Sequence, residues 1–427
     1  METNMTLTPE QQALLSGEKG EAMAKVMKTL VIYGETFGAA KMVPVTSQYG
    51  HLVTSFGLGV MKPIYELMNQ LIEAGALAGQ KFSVDPRPLD KNVPSNALQN
   101  LLFKFMYSAQ ESYEGQLKQL GLLQDDAFTC TCYLPEIGNT PKKGEVLSWA
   151  ESSAVVYANS VLGARCNRNS GIIELFGSIA GCVPYFGLLT DAGRKATWIV
   201  DVKTTKTPEA QVLGSAIGMK VMEDVPYIRG LCRFIGTELT ENACSYLKDM
   251  GAATASNGAV GLYHVEGLTP EAVEQGESLL APDAKVYVID DAEIKRVMDG
   301  YPLIWKDKNA KPKLAFIGCP HLSFAQLVEW TEKLEAGLRT AGREKVAIPT
   351  VFTSAPAVQK EFQKTEYYAR LQKLGVVLSY ICPLMYMNNP LCGKQPVITN
   401  SNKLRTYTSA KYMTNDDILE AITKGGK

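Results

Sequence analysis

The sequence predicts an α/β protein whose C-terminal third forms a doubly wound parallel sheet. From residue 313 onwards, short β-branched runs alternate with amphipathic segments of helix length, the pattern of βαβ units. At 46% apolar and 20% charged, with 36 Gly and 21 Pro, the composition is that of an ordinary globular chain. Its 427 residues exceed one core and divide into two or three domains at roughly 150 residues each. The divisions expected are 1–125 (mixed α/β), 126–306 (central α/β) and 307–427 (doubly wound α/β).

Element by element, residues 9–17 read as a helix capped by Thr8. Residues 22–32 are apolar at helical spacing and run into Gly34–Gly38, expected as a glycine-bounded turn. Residues 62–78 and 97–120 predict two helices separated by a Pro-rich stretch. Residues 127–133, with Cys130 and Cys132, favour a strand, and 145–164 predict one helix of about five turns. The stretch 197–222 reads as short strands and turns, 237–253 and 270–280 as helices, and 285–289 as a strand. In the last third the strands are 313–317, 346–352, 376–381 and 395–399, and the helices are 323–340 and 357–374.

Several function classes fall away. Forty-three basic against forty-four acidic residues leave a formal charge of −1, without the surplus of a nucleic-acid binder. No secretory signal is visible, and the most apolar stretches are broken by Gly, Pro or Asn before the ~20 residues a membrane span needs. Nine irregularly spaced cysteines are not a disulfide framework, and reduced thiols in a cytoplasmic protein are the simpler reading. Gly34–Gly38 has neither the spacing nor the lysine of a nucleotide loop.

In open parallel sheets, ligands bind beyond the carboxyl ends of the strands. There the first strand of the last third delivers Gly318-Cys319-Pro320-His321, the second Thr353-Ser354, the third Cys382-Pro383 and the fourth Asn400-Ser401-Asn402-Lys403. Thiolates are soft donors suited to iron–sulfur clusters and zinc. Singly, each cysteine is as readily a small buried hydrophobe. Together, each before a proline at a strand end, Cys319 and Cys382 favour ligation. Of the Cys130/Cys132 pair, one makes a reasonable third ligand. On the expected helix 145–164, Ser148, Ser152 and Asn159 lie close to one face, lining either solvent or a polar cavity. Arg165 and Arg168 follow at its end, where they complement the helix dipole or hold a carboxylate. His264 reads as structural, His51 as exposed or facing a ligand, and His321 as sharing the role of Cys319.

The blocks Tyr33-Gly34-Glu35, Pro44-Val45-Thr46-Ser47, WAESSAVVYANSVLGAR over 149–165, GCPHL over 318–322 and Thr399–Lys403 resemble, in order, those of the aconitase X family. The resemblance covers about residues 5–415 and implies an aconitase-like multi-domain architecture. It implies an iron–sulfur cluster (3Fe-4S/4Fe-4S or 2Fe-2S) on Cys130, Cys319 and Cys382, and a hydro-lyase reaction on a small hydroxy acid. It also places Glu35, Ser47 and Lys403 as catalytic candidates, and His51, Glu151, Ser152, Ser153, Asn159, Arg165 and Ser401 as substrate-binding candidates. Cys132 and Cys166 depart from the family's pattern and are left out of the ligand set.

The resemblance further implies a small swivel-domain subunit that supplies a catalytic serine. The substrates it suggests are cis-3-hydroxy-L-proline and (R)-5-phosphomevalonate. The absence of an extra basic cluster beyond Arg165, Arg168 and Lys403 favours the hydroxyproline. A non-catalytic binding protein that has lost the cluster is the alternative from another class, and a mononuclear zinc hydrolase a more remote one.

Overall fold

The computed structural model describes residues 3–425. In the N-terminal region two helices, Pro9–Ser16 and Glu21–Thr36, lead into the short strands β1 (Met42–Pro44), β2 (Gly50–Leu52), β3 (Phe82–Val84) and, later, β4 (Cys182–Pro184). β1 pairs antiparallel with β4, and β2 parallel with β3. The first helix starts as expected: Thr8 accepts from the Gln11 N–H, and the Gln11 side chain accepts from the Thr8 N–H.

Two parallel sheets follow. The central one contains β5 (Ala196–Val202), β6 (Pro226–Arg229), β7 (His264–Val265) and β8 (Leu280–Ile289), in the order β7-β6-β5-β8. The C-terminal one contains β9 (Leu314–Leu322), β10 (Thr350–Ser354), β11 (Val376–Ser379), β12 (Val397–Thr399) and β13 (Lys411–Tyr412), in the order β11-β10-β9-β12-β13. Each winds outwards to both sides of its first strand. The doubly wound sheet expected in the last third is present, and the middle of the chain builds a second one. No helix among the described residues is long and apolar enough to cross a membrane.

Several elements differ from expectation. The helix expected over 145–164 spans only Ser152–Ser160. The preceding backbone pairs elsewhere: Leu147 N–H donates to the Arg165 carbonyl, His51 N–H to Ser148, and Ala150 N–H to His51. The stretch 197–222 is not strands and turns but β5 followed by the helix Ala210–Val221. Helix Glu21–Thr36 runs through Gly34, so the expected turn begins only at Phe37. No strand forms over 127–133, where a lone bridge joins Phe128 to Val84. The helices expected over 97–120 and 357–374 are each two: Ala97–Met106 with Gln110–Leu120, and Pro356–Phe362 with Glu366–Lys373. At the first break, Gly59 N–H donates to the Met106 carbonyl and Ala109 N–H to Gly57, so a crossing loop takes up the freed backbone groups.

Candidate functional site

The site begins with an irregularity in β9. Ile317 pairs with Phe352 and Leu322 with Ser354, so four residues, Gly318 to His321, stand opposite the single residue Thr353. The excess leaves the ladder and carries Cys319 out of the sheet. Gly318 allows this with φ +107°, and a Cβ there would lie 2.5 Å from the Thr353 carbonyl oxygen. β9 is the strand from which β10 and β12 depart in opposite directions. The bulge therefore sits at the topological switch point, where open parallel sheets form their ligand crevices.

Three further segments close around it. Cys130 arrives on the loop after Phe128. Cys382 caps the short helix Pro383–Met387 and donates its N–H to the Arg87 carbonyl at 2.8 Å. Lys403 lies in the first turn of Asn402–Tyr407, capped by the Ser401 hydroxyl, which accepts from the Leu404 N–H at 3.1 Å. Cys130, Cys319 and Cys382 thus line one cavity of about 100 Å³ with Asp85, Glu151, His321 and Lys403, walled by Phe56, Pro86, Pro320, Pro383, Leu384 and Met385. Among the described residues, no group of three or more His, Cys, Asp or Glu side chains stands in position to hold a single metal ion.

The charges are strongly organised. Glu151 adopts φ +105°, a conformation that a non-glycine residue holds only when its surroundings determine it. One of its carboxylate oxygens accepts from the Ser153 hydroxyl at 2.6 Å and the Ala154 N–H at 2.7 Å, and the other pairs with the Lys403 ammonium. Burial opposes its charge, but Lys403 and these donors together hold Glu151 down at about 2. Burial likewise opposes the Lys403 charge, yet Glu151 and the neighbouring thiols keep its pKa raised. Asp85 moves the other way. Burial, with the negative charge of Glu151 behind it, raises Asp85 to about 6 against the pull of His51 and Lys403. His51 Nε2 faces Asp85 Oδ1 at 3.5 Å, and its Nδ1 lies 2.9 Å from the Ser83 hydroxyl. Burial raises all three thiols: Cys130 strongly, Cys382 to about 12, and Cys319 against the opposing effects of Lys403 and Ser401.

Of the residues singled out from sequence, Cys130, Cys319, Cys382, Glu151 and Lys403 meet in this cavity. Ser153 and Ser401 support it, and His51 stands behind Asp85. The others lie elsewhere. Glu35 accepts from the Thr3 hydroxyl and the Asn4 N–H at 2.6 and 2.8 Å, at the end of its helix. Ser47 accepts from the Gln80 amide at 3.1 Å, and Ser152 opens its helix outside the cavity lining. Asn159 joins the Cys166 and Gly261 carbonyls at 2.8 Å and the buried Ser148 hydroxyl donates to Glu174, so these two members of the expected polar stripe face neither solvent nor cavity, while Ser152 is partly exposed. Arg165 binds the Leu189 carbonyl and Asp191. Cys132 is fully buried in the core. His264 is structural, its ring 2.9 Å from the Arg194 carbonyl. Asp85 was not anticipated; the only sign of it is an Asp-Pro pair directly after the apolar run Phe82-Ser83-Val84.

Models of the first, second and third domains of aconitase X match residues 4–192, 196–299 and 312–420. The phosphomevalonate dehydratase large subunit of Thermococcus kodakarensis is 32% identical over 425 residues, 98% of this chain and 99% of that one. The cis-3-hydroxy-L-proline dehydratase of Hypocrea jecorina is 26% identical over 96% of this chain, which spans 65% of that longer protein. The crystal structure of Thermococcus kodakaraensis aconitase X in its holo form superimposes with a TM-score of 0.80 at 28% identity, covering 98% of this chain and all of that one. Matched by family models over nearly its whole length and by a relative over nearly the whole of both chains, the chain belongs to the aconitase X family.

Proposed function

We propose that this chain is the cluster-bearing large subunit of a two-subunit hydro-lyase that removes water from a small hydroxy acid. One observation carries the reading: Cys130, Cys319 and Cys382, from three distant segments, line a single cavity beside a buried Lys403–Glu151 pair and the raised carboxyl of Asp85. Three soft thiols lining one cavity with apolar walls are a donor set suited to an iron–sulfur cluster. When bound, a cluster held by three thiolates offers an iron with an open position as a Lewis acid for a departing hydroxyl.

The protein residues have separable tasks. Lys403 presents a fixed positive charge to the substrate carboxylate, and Glu151 keeps the ammonium oriented. Asp85, raised to about 6, holds or releases a proton at its carboxyl oxygen near neutral pH. The proline-rich walls exclude water from the reacting face. The base that abstracts the carbon-bound proton is assigned to a serine of a small subunit. Relatives matched over almost their full length carry "large subunit" in their names, whereas the longer hydroxyproline dehydratases extend over a further third of their length.

Higher identity and full coverage favour (R)-5-phosphomevalonate as substrate, against the preference drawn from sequence. A second reading, cis-3-hydroxy-L-proline, is supported by the single cation among the described residues that line the cavity, Lys403, which is already paired with Glu151. The test is anaerobic co-purification with the small subunit, iron and acid-labile sulfide analysis, and dehydration assays on both acids. Iron and sulfide in comparable amounts, with turnover of phosphomevalonate, is the expected result, and substitution of any of the three cysteines by serine abolishes turnover. Iron-free protein from that preparation overturns the reading.

A further inference from the structure

The three cysteine-bearing segments come from distant parts of the chain, and one side chain touches two of them while belonging to the third. His321 follows Cys319 by two residues and is 1% exposed. Its Nε2 lies 3.1 Å from the carbonyl of Ile381, the residue before Cys382. Its Nδ1 lies 3.1 Å from the hydroxyl of Thr129, the residue before Cys130. Its backbone N–H points at the Cys130 sulfur, 3.4 Å away.

For a neutral ring the hydrogens in this network have only one arrangement. A carbonyl can only accept, so Nε2 carries the ring proton and donates to Ile381. Nδ1 is therefore bare and accepts from the Thr129 hydroxyl. That hydroxyl oxygen accepts in turn from the Thr131 N–H and hydroxyl, each at 3.0 Å. From the far side the buried Lys248 ammonium donates to the His321 carbonyl at 3.2 Å and pairs with Asp249 at 2.7 Å. Both ring nitrogens are used and the backbone is anchored. The ring has no lone pair left for a metal and no vacancy for a substrate proton, although it lies in the cavity wall.

Resting on the cluster reading above, we propose that His321 is a positioning residue that clasps the Cys130 and Cys382 segments to the Cys319 bulge. It sets the separation of the three sulfurs before any metal arrives. Second-shell partners of this kind set ligand geometry, and their loss typically weakens metal retention by about 10- to 100-fold. Hydrogen bonds to ligand sulfur also tune a cluster's electronic state, so displacement of the His321 N–H from Cys130 is visible spectroscopically.

The test compares wild type with His321→Ala, His321→Gln and Thr129→Val, each as the full chain with its small subunit, loaded anaerobically with ferrous iron and sulfide. Iron loss to a chelator is followed by absorbance, and the reduced cluster by paramagnetic resonance. His321→Ala is expected to lose iron at least about tenfold faster with an altered resonance. His321→Gln, which still reaches the Ile381 carbonyl, and Thr129→Val, which leaves that bond intact, fall between it and wild type. Equal iron retention and identical spectra in all four proteins overturn the proposal.

A separate arm needs no cluster. In unloaded protein, maleimide labelling followed by mass mapping is expected to quicken at Cys130 and Cys382 in His321→Ala, while Cys232 stays as in wild type; unchanged rates at all three overturn the clasp. If wild type takes up no iron, the cluster reading fails, and this labelling alone decides for or against the clasp. Should His321→Ala fail to fold, as its melting curve would reveal, the other two variants carry the comparison.

Discussion

Glu174 is fully buried, with the Ser148 hydroxyl 2.8 Å from one carboxylate oxygen and the Asn169 amide 2.6 Å from the other. Burial nevertheless dominates and raises its pKa to about 8. Between its unfolded value of 4.5 and about 8, the folded state therefore retains a proton that the unfolded chain has released. The stabilisation from this group is complete below 4.5 and declines as pH rises through that window. At about 1.4 kcal/mol per pKa unit the whole effect is on the order of several kcal/mol. In urea denaturation at pH 5, 6.5 and 8, Glu174→Gln is expected to gain stability relative to wild type at each step; a constant difference would refute the assignment. At Glu151 burial pushes the same way but is outweighed by Lys403 and the donors of Ser153 and Ala154. Glu151→Gln strands the buried Lys403 ammonium and is expected to cost about 3–5 kcal/mol, measured in the same way. Adding Lys403→Met to that variant restores part of the loss.

The helix Ala210–Val221 shows what periodicity cannot read. Gly214 and Gly218 lower its apparent helical character, yet they are where it packs against Glu241–Asn257: a Cβ at Gly214 would lie 2.1 Å from the Met250 carbonyl oxygen. Gly214→Ala would raise intrinsic helix propensity but force the two helices apart, and is expected to destabilise by about 1–3 kcal/mol in thermal or chemical denaturation. In the last third, by contrast, β9 to β12 and the helix Phe324–Thr340 follow directly from the alternation of strand-like and amphipathic segments, while the two-residue β13 is too short to leave such a pattern. That is also why Cys319, Cys382 and Lys403 could be grouped in advance: they lie where a recognisable sheet ends. Asp85 and the network of Thr129 and Thr131 could not be, because they sit on irregular backbone positioned by tertiary bonds alone. The segment before Ser152 departs from its helical pattern for the same reason. Its residues favour a helix, but its N–H groups are claimed by His51 and Arg165 partners.

At the scale of the molecule, the cavity joins the part matched by the first aconitase X domain, which brings Asp85, Cys130 and Glu151, to the part matched by the third, which brings Cys319, Cys382 and Lys403. Neither part holds a complete site. On the proposed reading the chain alone also lacks its base. Its kcat/KM without the small subunit is expected to be at least about 100-fold below that of the pair, as loss of a general base typically costs. Comparable activity of the isolated chain would remove the partner from the mechanism. The wide separation of the thiols along the chain has a consequence for biosynthesis. Cys130 leaves the ribosome about 250 residues ahead of Cys382. At 5–20 residues per second that is an interval of roughly 13–50 s. During it the earlier cysteine exists without the partners that later shelter it, open to oxidants and stray metals, so on the proposed reading a growing cell has to deliver iron to a finished chain rather than to an emerging one.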